Sequence, residues 1–164
     1  MKYNLIITAL LLVTLAACNS KKALKYSQTV VKLERSLMSD IELTETKVEQ
    51  FANEQNYDSI VAVSDRMEKI IDGKLQEVTT MQAPKVKEAE NFKQASIRYF
   101  SYLKSIYTSY KKFGLAQSDE ARQRELQNFQ DLVGGKTVAV TEMQTAQKKF
   151  ADANGFRVEG LPDK

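Results

Sequence analysis

The side chains that most often do chemistry are scarce in this chain. Histidine is absent and there is a single cysteine, Cys18. Without histidine the usual general base, the commonest metal ligand and the Glu-x-x-His pairs of di-iron bundles are all missing. The Cys-x-x-Cys-His of c-type haem attachment is missing too. A serine nucleophile has no histidine partner, and a Ser-Lys dyad needs a spatial arrangement that spacing alone does not reveal. Gly134-Gly135 lacks the flanking strand and the Lys-Ser/Thr ending of a phosphate loop. Glu42, Glu45 and Glu49 form an acidic stripe. A calcium loop needs closely spaced oxygen ligands around a glycine turn, so this stripe reads as a solvated flank. No metal site and no catalytic residue is expected. Two features remain. One is the Cys18 thiol. The other is an aromatic cluster, Phe92, Tyr99, Phe100, Tyr102, Tyr107, Tyr110 and Phe113. Tyrosine has an apolar body and a polar tip that needs a partner when buried. Tyr99, Tyr102, Tyr107 and Tyr110 can therefore pack a core, form a partner-binding surface or line a ligand pocket.

Cys18 follows Leu15-Ala16-Ala17, and before these the chain has the layout of a secretory signal. Lys2 supplies a positive start and Leu5 to Val13 an apolar stretch. The apolar run is roughly 13 residues, where a spanning helix needs about 20, so residues 1–17 read as a removable signal. The segment Leu15-Ala16-Ala17-Cys18 resembles the lipobox of bacterial lipoproteins. The resemblance implies cleavage between Ala17 and Cys18, with a diacylglyceryl group on the Cys18 sulfur and a fatty acyl chain on its freed amine. One acyl chain holds a protein to a membrane only marginally, and two or three hold it stably. The expected cofactor set is otherwise empty. Asn19 stands where many inner-membrane lipoproteins carry aspartate, so the resemblance points to the outer membrane of a bacterial envelope.

The elements that must position these groups are helical throughout. The chain has 164 residues, with two prolines and six glycines, and is rich in helix-forming residue types. Its length bounds it to one domain able to bury a core. The formal net charge is +3. Charges alternate at helical spacing, as in Asp65 with Lys69 and Glu120 with Arg124. That pattern gives no concentrated basic face for nucleic acid.

Four apolar seams with steps of three and four follow a tether over 18–23. The first helix spans about 24–52 on Tyr26, Val30, Leu33, Leu37, Ile41, Val48 and Phe51. The second spans 58–82 on Ile60, Ser64, Met67, Ile71, Leu75, Val78 and Met81, capped by Asn56 or Asp58. The third spans 84–113 on Val86, Ala89, Phe92, Ser96, Tyr99, Leu103, Ile106, Tyr110 and Phe113, opened by Pro84 and stopped by Gly114. The fourth spans 119–154 on Leu126, Phe129, Val133, Val140, Met143, Ala146 and Phe150, capped by Ser118 and ended at Asn154-Gly155. Gly134-Gly135 predicts a kink or break within it. Residues 157–164 read as a loose tail. Short connections between four such helices predict an all-α, antiparallel up-down-up-down four-helix bundle over 24–156.

With Leu15-Ala16-Ala17-Cys18, a helical chain of this length and the closing Gln147–Phe156 segment, the sequence resembles small uncharacterised bacterial surface lipoproteins. That family carries no catalytic residues over. The expectation is a lipid-anchored, non-catalytic envelope bundle that meets a protein partner. The alternative is a solute-binding bundle that closes on a small molecule through its tyrosine-rich third helix.

Overall fold

A computed structural model describes residues 3–158, with side chains from Asn19 onward. The signal and the Cys18 side chain lie outside the described side chains, and so do residues 159–164 of the tail. The described chain is helical with no strand. Its helices are α1 (Tyr3–Arg35), α2 (Met38–Asn53), α3 (Tyr57–Thr80), α4 (Ala89–Leu115), α5 (Asp119–Gly134) and α6 (Lys136–Asn154). These make the four antiparallel legs of a four-helix bundle: α1 with α2, then α3, α4, and α5 with α6. The amphipathic seams cause this arrangement, because four apolar stripes can all leave water only by facing one another.

The first leg enters the bundle sooner than 24. Residues 19–23, expected as a tether, continue α1, and Ala23 is completely buried. The leg breaks at Ser36-Leu37. The Ser36 hydroxyl donates to the Leu33 carbonyl at 2.7 Å, and the Leu37 N–H turns to the Glu34 carbonyl three residues back. Such back-bonding by serine bends helices. It leaves Leu37 fully buried.

Three helix ends follow their capping residues. Asn56, not Asp58, caps α3 by accepting from the Ser59 N–H, after Gln55 reverses the chain in a left-handed conformation. Ser118 caps α5 by accepting from the Ala121 N–H. Gly155, at φ +70°, closes α6, and the Phe156 N–H bonds back to the Ala151 carbonyl. The Phe156 ring then meets Phe150 edge-on at 5.6 Å, the apolar contact that accompanies this type of cap.

The third leg departs from expectation at both ends. It begins at Ala89, not Pro84. Residues 81–88 instead cross the end of the bundle, where Met81, Ala83 and Val86 pack on the core. Pro84 keeps Ala83 out of helical geometry, and Glu88, in the left-handed region, turns the chain into α4. At the other end Gly114 does not stop the helix, which runs on to Leu115. Gly114 lies against α3: a Cβ there would stand 2.8 Å from the Tyr57 carbonyl oxygen and 2.7 Å from a Val61 methyl. The missing side chain lets the two helices approach.

The core runs the length of α3 and α4. Ile60, Met67, Ile71 and Val78 from α3 and Phe92 and Phe100 from α4 are all but inaccessible to water. Phe100 and Tyr107 were not part of the expected seam, yet both are fully buried. The reason is that α4 packs against α3 on one side and α5 and α6 on the other, so more than one stripe is covered. The fourth leg breaks at Gly135, whose N–H bonds to the Leu132 carbonyl three residues back. Below the break, Met143, Ala146 and Phe150 are buried as expected. Above it the expected seam is poorly covered, with Leu126 and Val133 each 38% exposed. Helix α5 rests on α4 mainly through Phe129, whose ring lies 4.6 Å from that of Tyr110.

Candidate functional site

The tyrosines of α4 are the one sequence-derived candidate whose side chains are described, and they do not converge. From Tyr99 to Tyr110 the helix rises about 16 Å. Tyr99 and Tyr102 bond to different neighbours, while Tyr107 and Tyr110 both lie near Glu45. Tyr99 donates to Glu34 Oε1 on α1 at 2.8 Å. Burial first, then the Glu34 charge, pushes the Tyr99 hydroxyl well above its ordinary value. Tyr102 donates to the Leu132 carbonyl at 3.3 Å, at the last turn of α5, and burial raises it too. Tyr107 is buried with its ring edge-on to Tyr110 at 5.9 Å. Tyr110 is raised to about 12 by burial and then by the Glu45 carboxylate of α2. Burial and Glu45 likewise push Tyr107 upward. These are packing tyrosines whose phenols stay neutral. None is poised as an acid or base near neutral pH, because every shift moves away from it.

A surface groove does lie beside Tyr99. It measures about 660 Å³ between α1 and α6 and is lined by Glu34, Tyr99, Met143, Gln147 and Phe156 among others. Buried Gln147 donates to the Ser27 hydroxyl at 3.1 Å and pins α6 to α1 there. Two pairs of the polar groups that line the groove, Tyr99 with Glu34 and Gln147 with Ser27, are thus bonded to each other.

The most connected polar cluster is one that the sequence reading missed. Lys111 on α4 donates to Asp65 at 2.9 Å and to Glu68 at 2.8 Å on α3. Thr108 donates to Glu68 at 2.6 Å, and Lys104 donates to Asp72 at 2.6 Å. The expected Asp65–Lys69 pair is present at 2.7 Å. Hydrogen bonds from Lys69 and Lys111 lower the Asp65 carboxyl to about 2, and those to Glu68 and Asp65 raise Lys111 to about 12. Burial pushes Glu68 upward, but Lys111 and Thr108 outweigh it and hold the carboxyl below its ordinary value. The signal was in the spacing: Lys104 and Lys111, and Asp65 and Asp72, both stand seven apart, which keeps each pair on one helix flank. The groups neutralise one another along an interhelical seam, which orients α3 on α4 and leaves no free nucleophile. The other expected pair differs. The Glu120 carboxyl is lowered by its own backbone N–H and by Ser118 before Arg124, so it serves the α5 cap.

Glu42, Glu45 and Glu49 are all exposed on α2. Among the described residues, no group of three or more histidine, cysteine or carboxylate side chains gathers to hold a metal, and no helix is long and apolar enough to cross a membrane. The chain matches no protein family model, no curated protein and no solved structure.

Proposed function

We propose that this chain is a bacterial lipoprotein, held in the cell envelope by acyl chains on Cys18, whose helical bundle is a non-catalytic structural or protein-interaction module. The observation that carries this reading is the Leu15-Ala16-Ala17-Cys18 segment, followed at once by the bundle. Ala23 is already in the core, so an anchor on Cys18 would hold the domain close to the membrane, with little slack between them. The absence of histidine and the pairing of Asp65, Glu68, Asp72, Lys104 and Lys111 with one another along the α3–α4 seam support a role without catalysis. Asn19 after the cysteine favours the outer membrane. In this reading the partners are the membrane and an envelope protein, with no nucleic acid, metal or cofactor. The test is mass spectrometry of the N-terminal peptide of the protein isolated from its own envelope. Cleavage before Cys18 with acyl mass on that residue is expected. A peptide that retains Ala17, or a bare Cys18, refutes it. Crosslinking in intact cells is expected to capture a protein partner.

A second reading is a solute-binding bundle. It is favoured by the groove beside Tyr99, whose volume falls in the range of small-molecule sites. Native mass spectrometry of the gently purified protein separates the two. A discrete bound mass of small-molecule size supports solute binding, and its absence favours the interaction module.

A further inference from the structure

The sequence spreads its charges evenly, but the fold sorts them by end. Four chain segments meet at the end where α1 enters the bundle: residues 19–22, the 81–88 connection, the start of α4 and the end of α6. Asn19, Lys85, Lys87 and Asn154 line one shallow basin there. Asn154 Nδ2 donates to the Lys87 carbonyl at 2.9 Å and fixes the connection to α6. Lys21, Lys22, Lys85 and Lys87 are all exposed at this end. Among the described residues none of the four pairs with a carboxylate. Against the four lysines stand Glu88 and Glu90, together with Asp152 in the last turn of α6, which pairs with Lys148. Each glutamate accepts from an amide further along α4, Asn91 and Gln94 respectively.

The opposite end has the reverse balance. Glu54, Asp58, Asp119 and Glu120 are exposed there, against exposed Lys112 and Arg124, the latter acting on Glu120, and an Arg122 that is mostly covered and stacked 4.0 Å over the Tyr57 ring. The two ends are separated by the 24 residues of α3, a rise of about 36 Å. That is several times the Debye length of about 8 Å at physiological ionic strength. A charged surface at one end therefore interacts with that end alone.

We infer that the lysine-bearing end of the bundle is a second membrane contact, which seats on an anionic phospholipid surface while the acidic end points away from it. The inference rests on the lipid-anchor reading for its orientation, because Cys18 immediately precedes the same end. Lys21 and Lys22 alone would add little to an anchor. The 81–88 connection doubles the number of lysines, and each lysine near such a surface contributes about fivefold in affinity. Acyl chains set the distance, and the lysines set the tilt by favouring one end of the rod over its sides.

The test uses the full chain, purified as the cells process it, on vesicles of phosphatidylcholine alone or of phosphatidylcholine mixed with phosphatidylglycerol. The readout is the acetylation rate of Lys85 and Lys87, with exposed Lys112 at the far end as the internal reference. On the anionic vesicles Lys85 and Lys87 are expected to react about fivefold more slowly than on neutral ones, and high salt should restore their rates. A variant with Lys21→Gln and Lys22→Gln is expected to lose part of that slowing while keeping its helical circular dichroism, since both side chains are exposed. Binding to both vesicle types with equal lysine rates overturns the contact and leaves the anchor standing. Binding to anionic vesicles only, with the slowing present, supports the contact and overturns the anchor. Binding to neither overturns both. Equal slowing on neutral and anionic vesicles, or slowing that survives the Gln variant in full, also overturns the contact, because charge would not be its cause.

Discussion

The closest approach of α3 and α4 should make Gly114 intolerant of a single methyl group. Alanine in a helix interior is ordinarily better than glycine by about 0.8–1 kcal/mol. Gly114 lies in the last turn of α4, so Gly114→Ala would bring at most that gain. Its Cβ, however, would stand 2.7 Å from Val61 Cγ2, 2.8 Å from the Tyr57 carbonyl oxygen and 3.3 Å from the Val61 backbone nitrogen. The valine methyl can rotate aside, but the two backbone atoms move only if α3 moves. Overpacking of this kind costs about 1–3 kcal/mol, so the net expectation is a loss of roughly 0–2 kcal/mol. Gly73 supplies the control. It is an exposed interior residue of α3 with nothing within 4 Å of a Cβ, so Gly73→Ala should gain up to about 1 kcal/mol. Urea denaturation followed by circular dichroism measures both. The expected result is a midpoint moved down for Gly114→Ala and up for Gly73→Ala, with the slope unchanged. If Gly114→Ala matches or exceeds the Gly73→Ala gain, the helices are not in contact at Tyr57 and Val61, and the reasoning fails.

Acid should weaken the bundle through the α3–α4 charge seam. The Asp65 carboxyl lies at about 2 in the folded chain against an ordinary 3.8, so its contribution is complete above pH 4 and disappears as pH falls from about 4 toward 2. Asp65→Asn is expected to flatten the stability profile in that window and to leave it unchanged in shape above pH 5. The tyrosines act in the opposite range. Tyr26 and Tyr110 are raised to about 12 from 10, so the stability they contribute is present below pH 10 and is lost as pH rises toward 12. Ultraviolet titration should show most phenolate appearing only as helix is lost, and free ionisation of these phenols at pH 10 in the folded protein would contradict their burial. The Tyr26 hydroxyl is buried without a hydrogen-bond partner among the described residues, and the Tyr26 ring meets those of Phe92 and Phe150 edge-on at 6.0 Å between centroids. Tyr26→Phe is therefore expected to be neutral or to stabilise by up to about 1 kcal/mol, whereas Phe92→Ala in the same cluster should cost about 3–5 kcal/mol. A large loss from Tyr26→Phe in the denaturation midpoint would show that the hydroxyl has a partner after all.

Much of this architecture was legible because it is local. The steps of three and four in Ile60, Ser64, Met67, Ile71, Leu75 and Val78 place those residues on one face whatever the neighbours do, and in the structure each is buried or half-buried. Asn56, Ser118 and Gly155 cap their helices through atoms a few residues away, so their roles follow from sequence order. Gly134-Gly135 marked the break in the fourth leg, because two successive glycines weaken a helix without help from outside. The proposed processing signal, Leu15-Ala16-Ala17-Cys18, is likewise read from adjacent residues alone.

What periodicity could not decide is what each face meets. Gly114 looks like a helix stop in the sequence, and only its contact with the Tyr57 and Val61 backbone reveals a packing role. Tyr107 and Phe100 lie off the expected seam and are buried because α4 has neighbours on two sides. Leu126 and Val133 lie on a seam and stay partly exposed, while Phe129 of the same seam is covered by Tyr110 of α4. The 81–88 connection is not helical because closing the end of the core with Met81, Ala83 and Val86 outweighs the helical preference that Pro84 signalled. The gathering of Lys21, Lys22, Lys85 and Lys87 also arises only when residues some sixty positions apart, such as Lys22 and Lys85, are brought to the same end. Hydrogen bonding along a helix is set within four residues, so a sequence determines it directly. Burial, close approach and charge segregation depend on which distant segment arrives alongside, and that is settled only by the packing of the whole bundle.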